Sequence, residues 1–144
     1  MMPSNYETFF LLERYAVVGH SARHPFPKLS YAGLKHRGKT VYAVDPSVSD
    51  ISGDPAYPDL ESLPGPVDAV LIEVPREETS MWVERAIAHK VLDIWIHQGT
   101  DTDEARVLAE KAGVRLRTGT CAVMYVTGGF HVLHKLINKL LGKY

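Results

Sequence analysis

Two residues of this sequence carry the side chains of nucleophilic catalysis. Cys121 follows Gly119-Thr120, and His97 closes the apolar run Asp93-Ile94-Trp95-Ile96. A thiol attacks as its thiolate, so a catalytic Cys121 needs a lowered pKa and a neighbouring base, for which His97 is the candidate. Both follow strand-like segments, but sequence spacing alone does not bring them within hydrogen-bond reach. The plainer reading makes Cys121 a buried, inert side chain. His131 and His134 stand three residues apart, a helical spacing compatible with a metal, yet no third ligand lies nearby, and we assign no metal site. Glu73, inside the apolar stretch Asp68 to Val74, is expected to pair with a base such as Arg76 rather than to carry protons.

A second group of residues suits phosphate. Tyr15-Ala16-Val17-Val18-Gly19 opens like the first turn of a dinucleotide-binding fold, where the pattern G-x-G-x-x-G lets a pyrophosphate approach backbone N–H groups. Here the chain continues His20-Ser21-Ala22-Arg23-His24-Pro25-Phe26-Pro27-Lys28, with the first glycine alone. Such a loop can still hold phosphate through Ser21, Arg23 and Lys28 and through a helix N-terminus near Leu29. Asp45, twenty-six residues after Gly19, lies near where a ribose-binding carboxylate belongs in an NAD site. Without the other glycines NAD stays an alternative, and an aspartate before Pro46 is also an ordinary strand terminator.

The elements that must position these residues alternate. Apolar runs at Tyr15–Val18, Thr40–Val44, Asp68–Val74, Asp93–His97 and Val114–Arg117 read as strands, most of them stopped by glycine or proline. Helical spacing is expected from about Leu29 to Arg37, from Glu77 to Lys90, and from a capped start at Thr100–Glu104 to Gly113. The Pro- and Gly-rich stretch after Pro46 reads as loop with one edge strand near Ala56-Tyr57. This alternation predicts an α/β, Rossmann-like, doubly wound and mainly parallel sheet in the order 3-2-1-4-5-6. Ligands of such sheets lie outside the carboxyl ends of the strands, which would bring Gly19-His20-Ser21, Asp45-Pro46, Val74-Pro75-Arg76, His97-Gln98-Gly99 and Gly119-Thr120-Cys121 to one crevice.

A chain of 144 residues can bury about 70% of its unfolded surface as one domain, read here as 1–144 with an N-terminal arm at 1–12 and a C-terminal helix at 126–144. Net charge is −1, which gives no basic field for nucleic acid. One cysteine excludes an internal disulfide and favours a reducing compartment, the cytoplasm. No segment approaches the ~20 apolar residues of a transmembrane helix. Phe130, Leu133, Leu136-Ile137 and Leu140-Leu141 form an apolar stripe beside Lys135, Lys139 and Lys143. Packing on the domain, a homodimer mate or another partner protein is the plainer role for that helix; membrane contact and phosphate attraction are the others.

In order and spacing, Val17-Val18-Gly19-His20-Ser21, Pro27-Lys28-Leu29-Ser30-Tyr31, Gly38-Lys39-Thr40-Val41, Val44-Asp45-Pro46, Val74-Pro75-Arg76, Trp95-Ile96-His97-Gln98-Gly99 and Gly119-Thr120-Cys121 resemble the small CoA-binding-domain proteins, relatives of the CoA-binding domain of the succinyl-CoA ligase alpha subunit. The resemblance covers most of residues 12–125. It implies a cleft for coenzyme A or an acyl-CoA, with Gly19, His20, Ser21 and Lys28 near phosphates, Val74, Pro75 and Arg76 bordering the nucleotide, and Asp45, Pro46, Gln98, Gly99 and Cys121 along the cleft. His20 and Asp45 replace the alanine and asparagine usual in the family, and His97 stands where many members have glutamine. An Asp45 carboxylate facing a 3′-phosphate would repel it, so the side chain should point away if the ligand is CoA. The resembled ligases carry their phosphohistidine and nucleotide-grasp machinery in further domains, which favours a stand-alone, non-catalytic or regulatory binding module. The alternatives are an enzyme acting on a thioester or nucleotide through Cys121 or a histidine, and an NAD module.

Overall fold

The computed structural model describes residues 5–126. A short helix α1 (Asn5–Phe9) leads into β1 (Arg14–Gly19), α2 (Phe26–His36), β2 (Thr40–Val44), a small hairpin of β3 (Asp50–Ile51) and β4 (Asp54–Tyr57), β5 (Ala69–Glu73), α3 (Arg76–Ala88), β6 (Asp93–Ile96), α4 (Asp103–Ala112), β7 (Arg115–Arg117) and the single turn α5 (Val123–Val126). Among the described residues the sheet runs β3-β4-β2-β1-β5-β6-β7, all parallel except the β3–β4 pair. With the hairpin counted as one edge, this is the expected order 3-2-1-4-5-6. None of the described helices is long and apolar enough to cross a membrane.

Central strands are apolar on both faces because helices cover both. Tyr15 and Val17 of β1 face Phe9, Tyr31, Leu34 and Trp95; Ala16 and Val18 face Trp82, Val83, Ile94 and Ile96 on the side of α3 and α4. Thr102 caps α4 by accepting a hydrogen bond from the Ala105 N–H at 3.1 Å, and Gly113 ends it in the left-handed conformation at φ 71°.

Three sequence expectations are corrected. Helix α2 starts at Phe26 rather than near Leu29, because Pro27 sits in its first turn, where a missing N–H costs nothing. The edge strand near Ala56 is the second arm of a hairpin; its first arm, Asp50–Ile51, was too short to show a pattern. The N-terminal arm is part of the core: Phe9 and Phe10 are buried against Trp95, whose indole N–H donates to the Thr120 carbonyl at 3.0 Å. The C-terminal helix expected over 126–144, with His131, His134 and its lysines, lies outside the described residues except for Val126, the last residue of α5.

At the amino ends of β6 and β7, Asp93 is buried and ion-paired to Arg115 and to the buried Arg117, both at 2.6 Å. Arg117 also lies over the Phe9 ring. Burial alone would raise the Asp93 pKa, but the hydrogen bonds from Arg115 and Arg117 outweigh it and hold the carboxyl below its ordinary value.

Candidate functional site

Strand register assembles the site. Gly19 at the end of β1 pairs with Glu73 at the end of β5, and the His97 N–H donates to the Ile72 carbonyl at 2.9 Å, which extends β6 by one residue beside Glu73. Sequence order reverses between β1 and β5, so the crevice opens at these three strand ends.

Gly19 is needed for a close approach. A Cβ there would stand 2.2 Å from Cγ of Pro27 and 3.1 Å from the Glu73 carbonyl oxygen, so the missing side chain seats the first turn of α2 directly on the strand end. No side chain among the described residues caps that helix N-terminus, and Lys28 stands exposed in its first turn. An uncapped N-terminus with an adjacent lysine attracts anions through its backbone N–H groups and dipole.

The loop between β1 and α2 is fixed from two sides. Asp45, 1% exposed, accepts hydrogen bonds from the Ser21 N–H at 2.8 Å and the Ser47 N–H at 3.0 Å, and Ser47 Oγ accepts one from the Ala22 N–H at 3.2 Å. Both Asp45 oxygens are therefore turned into the loop. His20 bonds Glu78 in the first turn of α3 through Nε2, at 2.9 and 3.0 Å from the two carboxylate oxygens. An alanine at this position could make no such tie.

Beside this loop lies a cavity of about 330 Å³ lined by His24, Phe26, Glu73, Val74, Pro75, His97, Gln98 and Thr100. Glu73 does not pair with Arg76, which is exposed at the start of α3; a carboxylate in this strand points under α2, where Ser30 Oγ donates to Oε2 at 2.8 Å. Burial drives its pKa up to about 8, offset only in part by Ser30. Burial, then the nearby His24, lowers the pKa of His97. The 3.9 Å contact between His97 Nδ1 and Glu73 Oε2 is thus a contact of two neutral groups at neutral pH rather than an ion pair. Glu73 Oε1 and His97 Nδ1 are buried without a hydrogen-bond partner.

Cys121 is 5% exposed and packs with Val123, Phe26 and Leu29; it is not among the described residues lining the cavity. Phe26 touches both Cys121 and the His97 ring, the latter at 4.7 Å between centroids. Sequence reasoning missed His24, Phe26, Ser30, Glu78 and Thr100 as site residues. Phe26 alone gave a usable signal, an aromatic between two prolines next to the glycine turn. Among the described residues no group of three or more His, Cys, Asp or Glu side chains is placed to hold a metal.

Residues 13–127 match the CoA-binding domain family. The chain belongs to that family. A conserved hypothetical protein from Pyrococcus furiosus is 26% identical, with a TM-score of 0.70 over 78% of this chain and 98% of its own. A hypothetical protein from Pyrococcus horikoshii shares the fold at 22% identity, with a TM-score of 0.73 over 98% and 97% of the two chains. A dinucleotide-forming acetyl-coenzyme A synthetase from Korarchaeum cryptofilum is 18% identical with a TM-score of 0.60; 74% of this chain aligns to 26% of that one. No curated protein matches the chain. As a CoA-binding domain it takes a CoA-related ligand, and nothing in these likenesses supports NAD.

The residues at the strand ends fit such a ligand. An uncapped helix N-terminus beside Lys28 suits phosphates, while the neighbouring cavity has apolar walls and two orphaned polar atoms.

Proposed function

We propose that this protein is a stand-alone cytoplasmic module that binds CoA or acyl-CoA without transforming it and reports the bound state to a partner protein or a second copy of itself. The observation that carries this reading is the seating of α2 on Gly19, which presents an uncapped helix N-terminus and Lys28 beside a ligand-sized cavity. Gly19, His20, Ser21 and Lys28 form the phosphate side; Val74, Pro75, Arg76, Gln98 and Gly99 form the opposite lip. Asp45 and Pro46 set the loop from below.

Lys28→Ala is expected to weaken CoA about tenfold and to flatten the salt dependence of binding, since a charge-assisted phosphate contact is lost. Calorimetric titrations at two ionic strengths measure both; an unchanged affinity and slope would remove Lys28 from the site.

The non-catalytic part of the reading turns on Cys121. Its burial behind Phe26 argues against an exposed thiolate. Wild-type protein should release no free thiol from an acyl-CoA, Cys121 should alkylate slowly across neutral pH, and Cys121→Ser should bind CoA within about twofold of wild type. Thioester turnover that Cys121→Ser abolishes would make the protein an enzyme.

A further inference from the structure

The cavity differs from the phosphate-binding side of the cleft. None of its described lining residues is a lysine or arginine, its walls include Phe26, Val74 and Pro75, and its polar groups are a buried carboxyl, two histidines, Gln98 and Thr100. A phosphate or carboxylate placed here would give up its hydration with no lysine or arginine among the described lining residues to offset that loss. An uncharged apolar group bearing one acceptor would find apolar contact and a donor together.

Two unpartnered buried atoms on adjacent strand ends need a physical account, because each orphan costs about 1–3 kcal/mol. Ser30 already donates to Glu73 Oε2, so the acid's own proton is available on Oε1. Both orphans are closed to solvent. Between them and the solvent stands the His97 ring, whose side chain is 17% exposed and which packs at a tilt of 39° on Phe26.

We infer that this cavity receives the thioester end of an acyl-CoA with a short, uncharged acyl group, with Glu73 donating a hydrogen bond to the thioester carbonyl and His97 gating access to it. The inference rests on the CoA reading above and assigns the class of acyl group to it. A carboxyl that stays protonated near neutral pH can act as this donor, and it is lost as pH rises through about 8. Among the described residues, the groups facing Glu73 are Ser30 from α2, His97 from the end of β6 with His24 beyond it, and Gly19 from β1, which has no side chain. From α3, Arg76 is exposed and Glu78 is bonded to His20.

Calorimetry with free CoA, butyryl-CoA, succinyl-CoA and the thioether S-butyl-CoA separates the contributions. At pH 7, wild type should bind butyryl-CoA about tenfold or more tighter than free CoA and at least about fivefold tighter than S-butyl-CoA, which lacks only the carbonyl. Succinyl-CoA, which adds a carboxylate, should gain nothing over free CoA. The carbonyl advantage should fade in wild type between pH 7 and 9, persist there in Glu73→Gln, whose amide still donates, and vanish at all pH values in Glu73→Met. The pH series on wild type stands even if Glu73→Met fails to fold. Equal affinities for butyryl-CoA and S-butyl-CoA, or a carbonyl advantage in wild type that ignores pH, would overturn the inference while leaving CoA binding intact. Failure of every CoA compound to bind would overturn both.

Discussion

Gly19→Ala is expected to lower stability by about 3 kcal/mol, a drop of roughly 6–12 °C in melting temperature, and to abolish detectable CoA binding. The added methyl would stand 2.2 and 2.8 Å from two atoms of the Pro27 ring and 3.1 Å from the Glu73 carbonyl. A long flexible side chain could swing away from such a contact. A proline ring in the first turn of α2 cannot, so relief requires the helix to lift from the strand ends. Lifting it would separate Lys28 and the helix N-terminus from the loop that Asp45 holds, and would draw Ser30 from Glu73. Thermal melts followed by calorimetry test both parts. A variant that melts near wild type and binds CoA normally would show that the seat of α2 is not what builds the cleft.

Asp93→Ala should cost about 3–5 kcal/mol while leaving CoA affinity of the folded protein unchanged. Asp93 compensates the guanidinium of Arg117, which is 3% exposed, and ties β6 to β7 at the end of the sheet opposite the cleft. Its removal takes a carboxylate partner away from a buried cation. The same pair predicts an acid-side loss of stability. Because the folded pKa lies below the ordinary aspartate value of 3.8, the stabilisation is present above that value and is lost as pH falls below it toward the folded pKa. Glu73 acts in the opposite direction. Its folded pKa of about 8 lies above the ordinary 4.5, so its contribution is full below 4.5 and declines as pH rises toward about 8. Denaturant melts of Asp93→Ala from pH 3 to 9 should show the alkaline decline and lack the acid-side loss of the wild-type pair. Retention of that loss, or weakened CoA binding by the folded variant, would refute the separation of the two ends of the sheet.

The parallel strands were legible because burial on both faces leaves unbroken apolar runs, and because Pro46 and Pro75 mark where the ladder cannot continue. Strand order followed from the alternation of elements. The start of α2 was not legible at the residue level: proline usually signals a break, and only its place in a first turn makes it helical. The role of the N-terminal arm was hidden because Phe9 and Phe10 find their partner, Trp95, about ninety residues away.

Within the site, the sequence showed which loops meet but not which way side chains turn. Asp45 illustrates the difference, since its charge was readable and its use as a loop strut came only with Ser21 and Ser47 in place. Glu73 stood out as a carboxylate in an apolar strand, yet its partner is Ser30, on a helix face that local spacing presents as ordinary. Polar side chains buried under a neighbouring element take their partners from tertiary register, which no short stretch encodes.

Titration of wild-type protein with CoA, butyryl-CoA and NAD under identical conditions tests the central claim most directly. Saturable binding of CoA or the acyl-CoA, with no saturable signal from NAD, is the expected result. Saturation by NAD, with neither CoA compound bound at millimolar concentration, would contradict the account of the cleft from Gly19 to Lys28.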